Sequence, residues 1–156
     1  LELYLPEAQN FPDLAVVLKE QLKEAGIEVD VLVQPESVYY GGDDWMEAGF
    51  GITGWGSRPY PQFYLEVMLT CDAIWNESRF CDEEFDRWVE VAGTTLDDGE
   101  RVDAYYEIQR ILIERGSIII PFFFPQFGAM SEDVEGFQMK AFPGRSDFRP
   151  VAVIEQ

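Results

Sequence analysis

Leu1-Glu2-Leu3-Tyr4-Leu5, the segment Asn10 to Gly26, and Ile27-Glu28-Val29-Asp30-Val31-Leu32-Val33 decide the fold. Leucines at 1, 3 and 5 alternate with other residues, the period of a half-buried strand. Asn10 is placed to cap a helix, with Pro12 in the first turn and Asp13 three positions on, a variant of the capping box. Phe11, Leu14, Ala15, Leu18, Leu22 and Ala25 then recur at helical spacing and define one apolar face. Gly26 is a natural stop. Ile27, Val29, Val31 and Val33 alternate again. Strand, helix of about four turns, strand is a βαβ unit, which calls for parallel pairing and a right-handed crossover.

Working outward, Ser37 to Tyr40 starts a helix that Gly41-Gly42-Asp43-Asp44 interrupts, and a short helix fits Trp45 to Ala48. Phe50 to Trp55 reads as a third strand. Gln62 to Thr70 reads as a helix with Phe63, Val67 and Tyr64 inward. Asp82 caps a helix that turns Phe85, Trp88, Val89 and Ala92 to one side. Asp97-Asp98 caps another, with Ala104, Tyr105, Ile108, Ile111 and Leu112 inward and Gly116 as its stop. Ser117 to Pro125 is a near-continuous apolar run, the signature of a strand buried on both faces. Pro121 places that strand at an edge or a bulge. Phe142 to Arg149 reads as loop and Pro150 to Ile154 as a last short strand. The expected class is α/β, a mixed and mostly parallel sheet with helices on both faces.

Beyond the third strand lies Gly54-Trp55-Gly56-Ser57-Arg58-Pro59-Tyr60-Pro61. Glycines flanking a Trp permit close backbone approach and unusual backbone angles. The indole can then face something other than its own core. Arg58 adds a planar, permanent charge suited to carboxylates or phosphates. In open α/β sheets ligands bind beyond the carboxyl ends of strands, which is where this segment falls. A second reading is a buried Trp in a tight turn, with Arg58 paired to a local acid. Gly54 through Tyr60 are the candidate ligand-binding residues.

Composition excludes several function classes. The chain has 156 residues, 47% of them hydrophobic, enough for one domain with a core. Eleven basic against 30 acidic residues give a net charge of -19. That argues against nucleic acid and anionic membranes as partners, because both need excess Lys and Arg. The acids are spread along the chain, so solubility is the first reading, ahead of salt adaptation or a cation-binding surface. There is no histidine. Triads of the Ser-His-Asp or Cys-His type cannot form within the chain, and zinc would have to rely on carboxylates and two cysteines. No catalytic or metal-ligating residue is nominated, and no cofactor is expected.

Cys71 and Cys81 suit a small disulfide loop in an oxidising compartment or stand as two reduced thiols; the spacing is not a CxxC motif. Asp43-Asp44 lacks the alternating ligands of a calcium loop and reads as a solvated turn. Asn76-Glu77-Ser78 matches a glycosylation acceptor, a pattern common by chance. No leader or membrane-spanning run is visible. The expectation is either a cytoplasmic protein or a piece of something longer.

Gly54-Trp55-Gly56, Trp75-Asn76-Glu77-Ser78, Glu84-Phe85-Asp86, Glu100-Arg101 with Tyr105, Gln109 and Ile111-Leu112, and Ile119-Ile120-Pro121 occur in one order. In that order the chain resembles the carboxy-terminal lobe of family 5 extracellular solute-binding proteins. These are the receptors of ATP-driven importers for peptides, nickel chelates and related solutes. The resemblance covers nearly the whole chain, so residues 1–156 would be one lobe of a longer two-lobe receptor. It implies a type II periplasmic-binding fold and capture of a small solute between this lobe and a missing amino-terminal one. Delivery to an ABC permease in the membrane would follow. It implies a periplasmic or extracellular location, held to the membrane through the importer or a lipid anchor outside these residues. The same oxidising compartment implies a Cys71–Cys81 bridge.

One departure from the family pattern bears on the ligand. Peptide-binding members usually carry an aspartate three residues after this Trp, where it pairs with an ammonium terminus; here Arg58 stands there. The reversed charge points to a solute that presents an anionic or hydroxyl-rich group. Two rival readings remain at this level. One is a carboxylate-dependent hydrolase such as a glycosidase, for which no acid pair stands out. The other is a protein-interaction module using its aromatic surface.

Overall fold

The computed structural model describes residues 1–140 and 146–154. Strand β1 (Glu2–Pro6) and strand β2 (Asp30–Gln34) pair in parallel, Tyr4 opposite Leu32. Helix α1 (Phe11–Glu24) crosses between them. The alternation of β1 sends Leu3 and Leu5 into a core with Phe11, Ala15 and Val29, which Leu18, Leu22 and Val31 flank. The cap at Asn10 does not form: its ψ is 21°, outside the extended region that aims a capping side chain. The stop at Gly26 does form. Gly26 sits at φ 78°, Ile27 N–H donates to Leu22 O and Gly26 N–H to Lys23 O. That pair of bonds is a Schellman closure, and the positive φ favours glycine.

The third strand is reduced to one parallel rung on the other side of β1. Tyr4 N–H donates to Phe50 O at 3.0 Å, and Ile52 N–H to Tyr4 O at 2.9 Å. Beyond Ile52 the backbone leaves the ladder, and Gly54 N–H reaches the Tyr40 hydroxyl instead at 3.5 Å. Two short helices, α2 (Glu36–Tyr39) and α3 (Asp44–Glu47), fill the link from β2, as the interrupted pattern suggested.

Helix α4 (Pro61–Tyr64) runs into a π-helical turn, Leu65–Leu69. The wider turn re-phases the face, so Leu65 and Leu69 are buried while Phe63, Tyr64 and Val67 are only half-buried. Helix α5 (Glu83–Thr94) begins at Asp82, whose carboxylate accepts from Glu84 N–H and Phe85 N–H. Helix α6 (Asp98–Arg115) begins at Asp97, which caps Glu100 N–H. Phe85, Val89 and Ala92 interlock with Ala104, Ile108 and Ile111 in a second core, against which Trp88, Tyr105 and Leu112 pack. Full burial of Phe85 or Ile108 contributes roughly 1.5–3 kcal/mol each. Arg110 and Arg115 of α6 reach Glu84 at 3.0 and 2.7 Å, lacing the two helices together at the surface.

The chain divides into two compact units, Leu1–Trp55 with Gln62–Ile118, and Gly56–Pro61 with Ile119–Gln156. The second contains an antiparallel pair, β3 (Val134–Glu135) with β4 (Ala152–Val153). β4 lies where a last strand is expected. The apolar run from Ser117 to Pro125 is not a strand. Among the described residues no ladder partners it, and Phe123 is 85% exposed. A strand needs a neighbour to take its N–H and C=O groups, and Pro121 and Pro125 supply no N–H. The expected sheet is therefore smaller than its sequence pattern. Of the predicted loop, residues 142–145 lie outside the described residues.

Candidate functional site

Trp55 ends the segment that leaves the β1 rung. Thr53 and Trp55 are two residues apart, so in extended backbone their side chains share a face. Both donate to the same carboxylate. The indole Nε1–H donates to Glu77 Oε1 at 3.1 Å, and the Thr53 hydroxyl donates to Glu77 Oε2. Burial pushes the Glu77 carboxyl above the usual carboxylate range, and the Thr53 and Trp55 hydrogen bonds pull it back. The Tyr39 hydroxyl lies 3.4 Å from Thr53 Oγ1, and burial raises that phenol too. Two aromatic rings flank the indole: Tyr64 edge-on at 6.1 Å and Trp75 at 5.9 Å. Trp55 is half-buried, not walled in, and Trp75 is 39% exposed.

Glu77 and Trp75 come from the loop closed by Cys71 and Cys81, which are joined by a disulfide. Asn76 organises the interior of this loop. Its Nδ2 donates to Thr70 O and Phe80 O, and its Oδ1 accepts from Phe80 N–H and the Ser78 hydroxyl. The Asn-Glu-Ser triplet is thus a loop hub with a carboxylate at its centre.

Gly54 is a close-approach glycine. A Cβ there would meet Phe11 Cζ at 2.9 Å. Of the two freedoms a glycine permits here, positive φ is not used at Gly54 or Gly56: among the described glycines only Gly26 and Gly136 have it. The need at Gly54 is space, imposed by the buried Phe11 ring.

In the second unit, Arg58 curls over its own turn and donates to Gly56 O at 3.2 Å and Ser57 O at 3.0 Å. Pro59 and Tyr60 are exposed. Ser57 lines a shallow depression of about 340 Å³ with Phe124, Gln126, Met139 and Lys140. Of the predicted residues, Gly54 and Trp55 thus fall in the first unit, and Gly56 through Tyr60 in the second. Sequence reasoning missed Glu77, Trp75, Thr53 and Tyr64 as neighbours of the indole. The signal for the first two was the aromatic-rich loop between the cysteines; nothing local linked Glu77 to a Trp 22 positions earlier. Among the described residues no group of acids or cysteines is arranged to hold a metal ion.

The parallel β1–β2 crossover with its flanking helices is α/β, and solved structures show the same type II periplasmic-binding fold. HbpA2 from Haemophilus parasuis superposes with a TM-score of 0.78 at 20% identity, covering 97% of this chain and 31% of that one. The ABC transporter substrate-binding protein CtaP from Listeria monocytogenes gives 0.65 at 24% identity, covering 75% and 25%. No family model matches the chain. Among curated proteins, Di/tripeptide-binding protein 1 of Pseudomonas aeruginosa is 27% identical over 151 residues, 95% of this chain and 28% of its own length. The Dipeptide-binding protein of Pseudomonas aeruginosa is 32% identical over 104 residues, 65% of this chain and 19% of its own length. The chain thus spans less than a third of the curated relatives it matches. The resemblance to family 5 solute-binding proteins holds: curated relatives and structural neighbours are peptide- and nickel-type ABC substrate-binding proteins, matched over a fragment that fits a carboxy-terminal lobe.

Proposed function

We propose that this chain is the carboxy-terminal lobe of an ABC-importer solute receptor. It captures a small solute against an amino-terminal lobe and hands it to a membrane permease, outside the cytoplasm. The carrying observation is that 95% of the chain aligns with only 28% of a di/tripeptide-binding protein, as one lobe of a longer receptor would. The half-buried Trp55 beside Trp75 and Tyr64 supports an aromatic contact for a planar or apolar part of the solute. Gly54 gives the strand end its room, and Gly56, Ser57, Pro59 and Tyr60 shape the turn that carries Arg58. We assign Arg58 to an anionic or hydroxyl-rich group of the solute. A non-enzymatic receptor is the reading that the relatives' names favour.

Two measurements on the full-length receptor test this. Mass spectrometry of cargo released by denaturation should find a small solute. Calorimetry with that solute should show Arg58→Ala weakening binding by about 2 kcal/mol or more, since losing one partner strands a desolvated charge. A receptor that releases no solute and binds no di- or tripeptide defeats the assignment; undiminished affinity in Arg58→Ala defeats the role of Arg58.

A further inference from the structure

The structure assigns to Glu77 the task of positioning the Trp55 indole from within the Cys71–Cys81 loop, an inference that rests on Trp55 being a solute contact. An indole N–H is a donor only, and a half-buried one needs an acceptor. A carboxylate is the strongest available acceptor, and this one is held at both oxygens by the same strand end. Trp55 Nε1–H binds Oε1, and the hydroxyl of Thr53 binds Oε2. The carboxylate therefore fixes both the strand end and the ring plane.

Glu77 is itself fixed. The disulfide closes the loop, Asn76 cross-braces it through Thr70, Ser78 and Phe80, and Trp75 N–H donates to Val67 O at 2.8 Å. Cys71 N–H donates to Asp86 at the start of α5. The loop thus acts as a rigid bracket between the second core and the indole. A clamp serving stability alone would bury the apolar side chains it gathers. Instead Trp75, its ring 5.9 Å from the indole, stays 39% exposed, and Ile74 of the same loop 72% exposed. That leaves an apolar shelf with its ring orientation already set, and pre-set orientation lowers the ordering cost of binding. The titratable neighbours of Glu77 are the phenols of Tyr39 and Tyr40, which ionise in the alkaline range.

Indole ¹⁵N–¹H spectra of the chain, with the Trp55 signal identified by Trp55→Phe, decide the matter without any added solute. In the parent the Trp55 signal should move as Glu77 titrates in the acid range. In Glu77→Gln, which keeps an acceptor but cannot ionise, that movement should vanish while the protein stays folded. In Glu77→Ala the Trp55 indole proton should exchange with solvent about tenfold faster, as expected for a lost charge-assisted bond. A Trp55 signal that titrates identically in Glu77→Gln, or that does not respond to pH in the parent, overturns the assignment. If Glu77→Ala does not fold, the Gln comparison alone decides. Failure of the receptor reading would appear separately, in the calorimetry, and would leave this spectroscopic result unchanged.

Discussion

Gly54→Ala puts a methyl group where the Phe11 ring already is. The new Cβ would lie 2.9 Å from Phe11 Cζ and 3.4 Å from Cε2. Phe11 is 4% exposed and shares its core with Leu3, Leu5, Ala15 and Val29, so the ring has no open side into which to retreat. Overpacking of this kind costs about 1–3 kcal/mol. Replacing glycine also stiffens the unfolded chain, which returns about 0.4–1 kcal/mol. The net expectation is a loss of about 1–2 kcal/mol. Urea unfolding should show a lower midpoint with an unchanged slope, the mark of altered stability in an otherwise similar transition. Phe11→Leu removes the atom that clashes. The double variant should therefore be more stable than the sum of the single losses predicts, by about 1 kcal/mol. If Gly54→Ala stays within about 0.5 kcal/mol of the parent, or if the two losses simply add, the steric account of this glycine is wrong.

Three other outcomes are expected. Replacing Cys71 and Cys81 by Ser opens a short loop and should cost about 3 kcal/mol in denaturant unfolding under oxidising conditions; no change in midpoint would refute a structural role for the bridge. Burial raises the Glu77 carboxyl above its unfolded value, so its contribution to stability is complete below the unfolded value and is lost as pH rises through the folded one. Glu77→Gln lacks that dependence, so its stability relative to the parent should climb from acid toward neutral pH; melting temperatures that stay parallel across that window would contradict the shift. The isolated chain should bind di- and tripeptides more weakly than about 1 μM, because a lobe alone encloses only part of a solute; calorimetry giving tighter binding would count against the two-lobe reading.

The helices and the parallel crossover were legible because each depends on periods and caps written locally. Leu3, Leu5, Phe11 and Ala15 are buried as their spacing predicts, and Asp82 and Asp97 cap the helices they precede. The inward face of the segment from Gln62 was misread because a π-helical turn changes the period, and no residue type announces one. Half of the candidate site was legible in the same local way. Trp55 between glycines is visible in sequence. Its partner Glu77 is not, because the bond joins a strand end to a distant loop, and only the folded chain brings the two together.

The run from Ser117 to Pro125 shows where local reading ends. Its side chains have the hydrophobicity of a buried strand, yet Ile119, Ile120 and Phe123 are 76%, 63% and 85% exposed. Hydrophobicity records what a segment gains from being covered, but not what covers it. A helix satisfies its own backbone; a strand borrows its hydrogen bonds from another stretch of chain. β1 has two such lenders, β2 on one side and Phe50 to Ile52 on the other, and so its alternating pattern resolves into a strand. The later run has none among the described residues, and its pattern stays unrealised. Pairing is a property of two segments, and a one-segment pattern fixes only half of it.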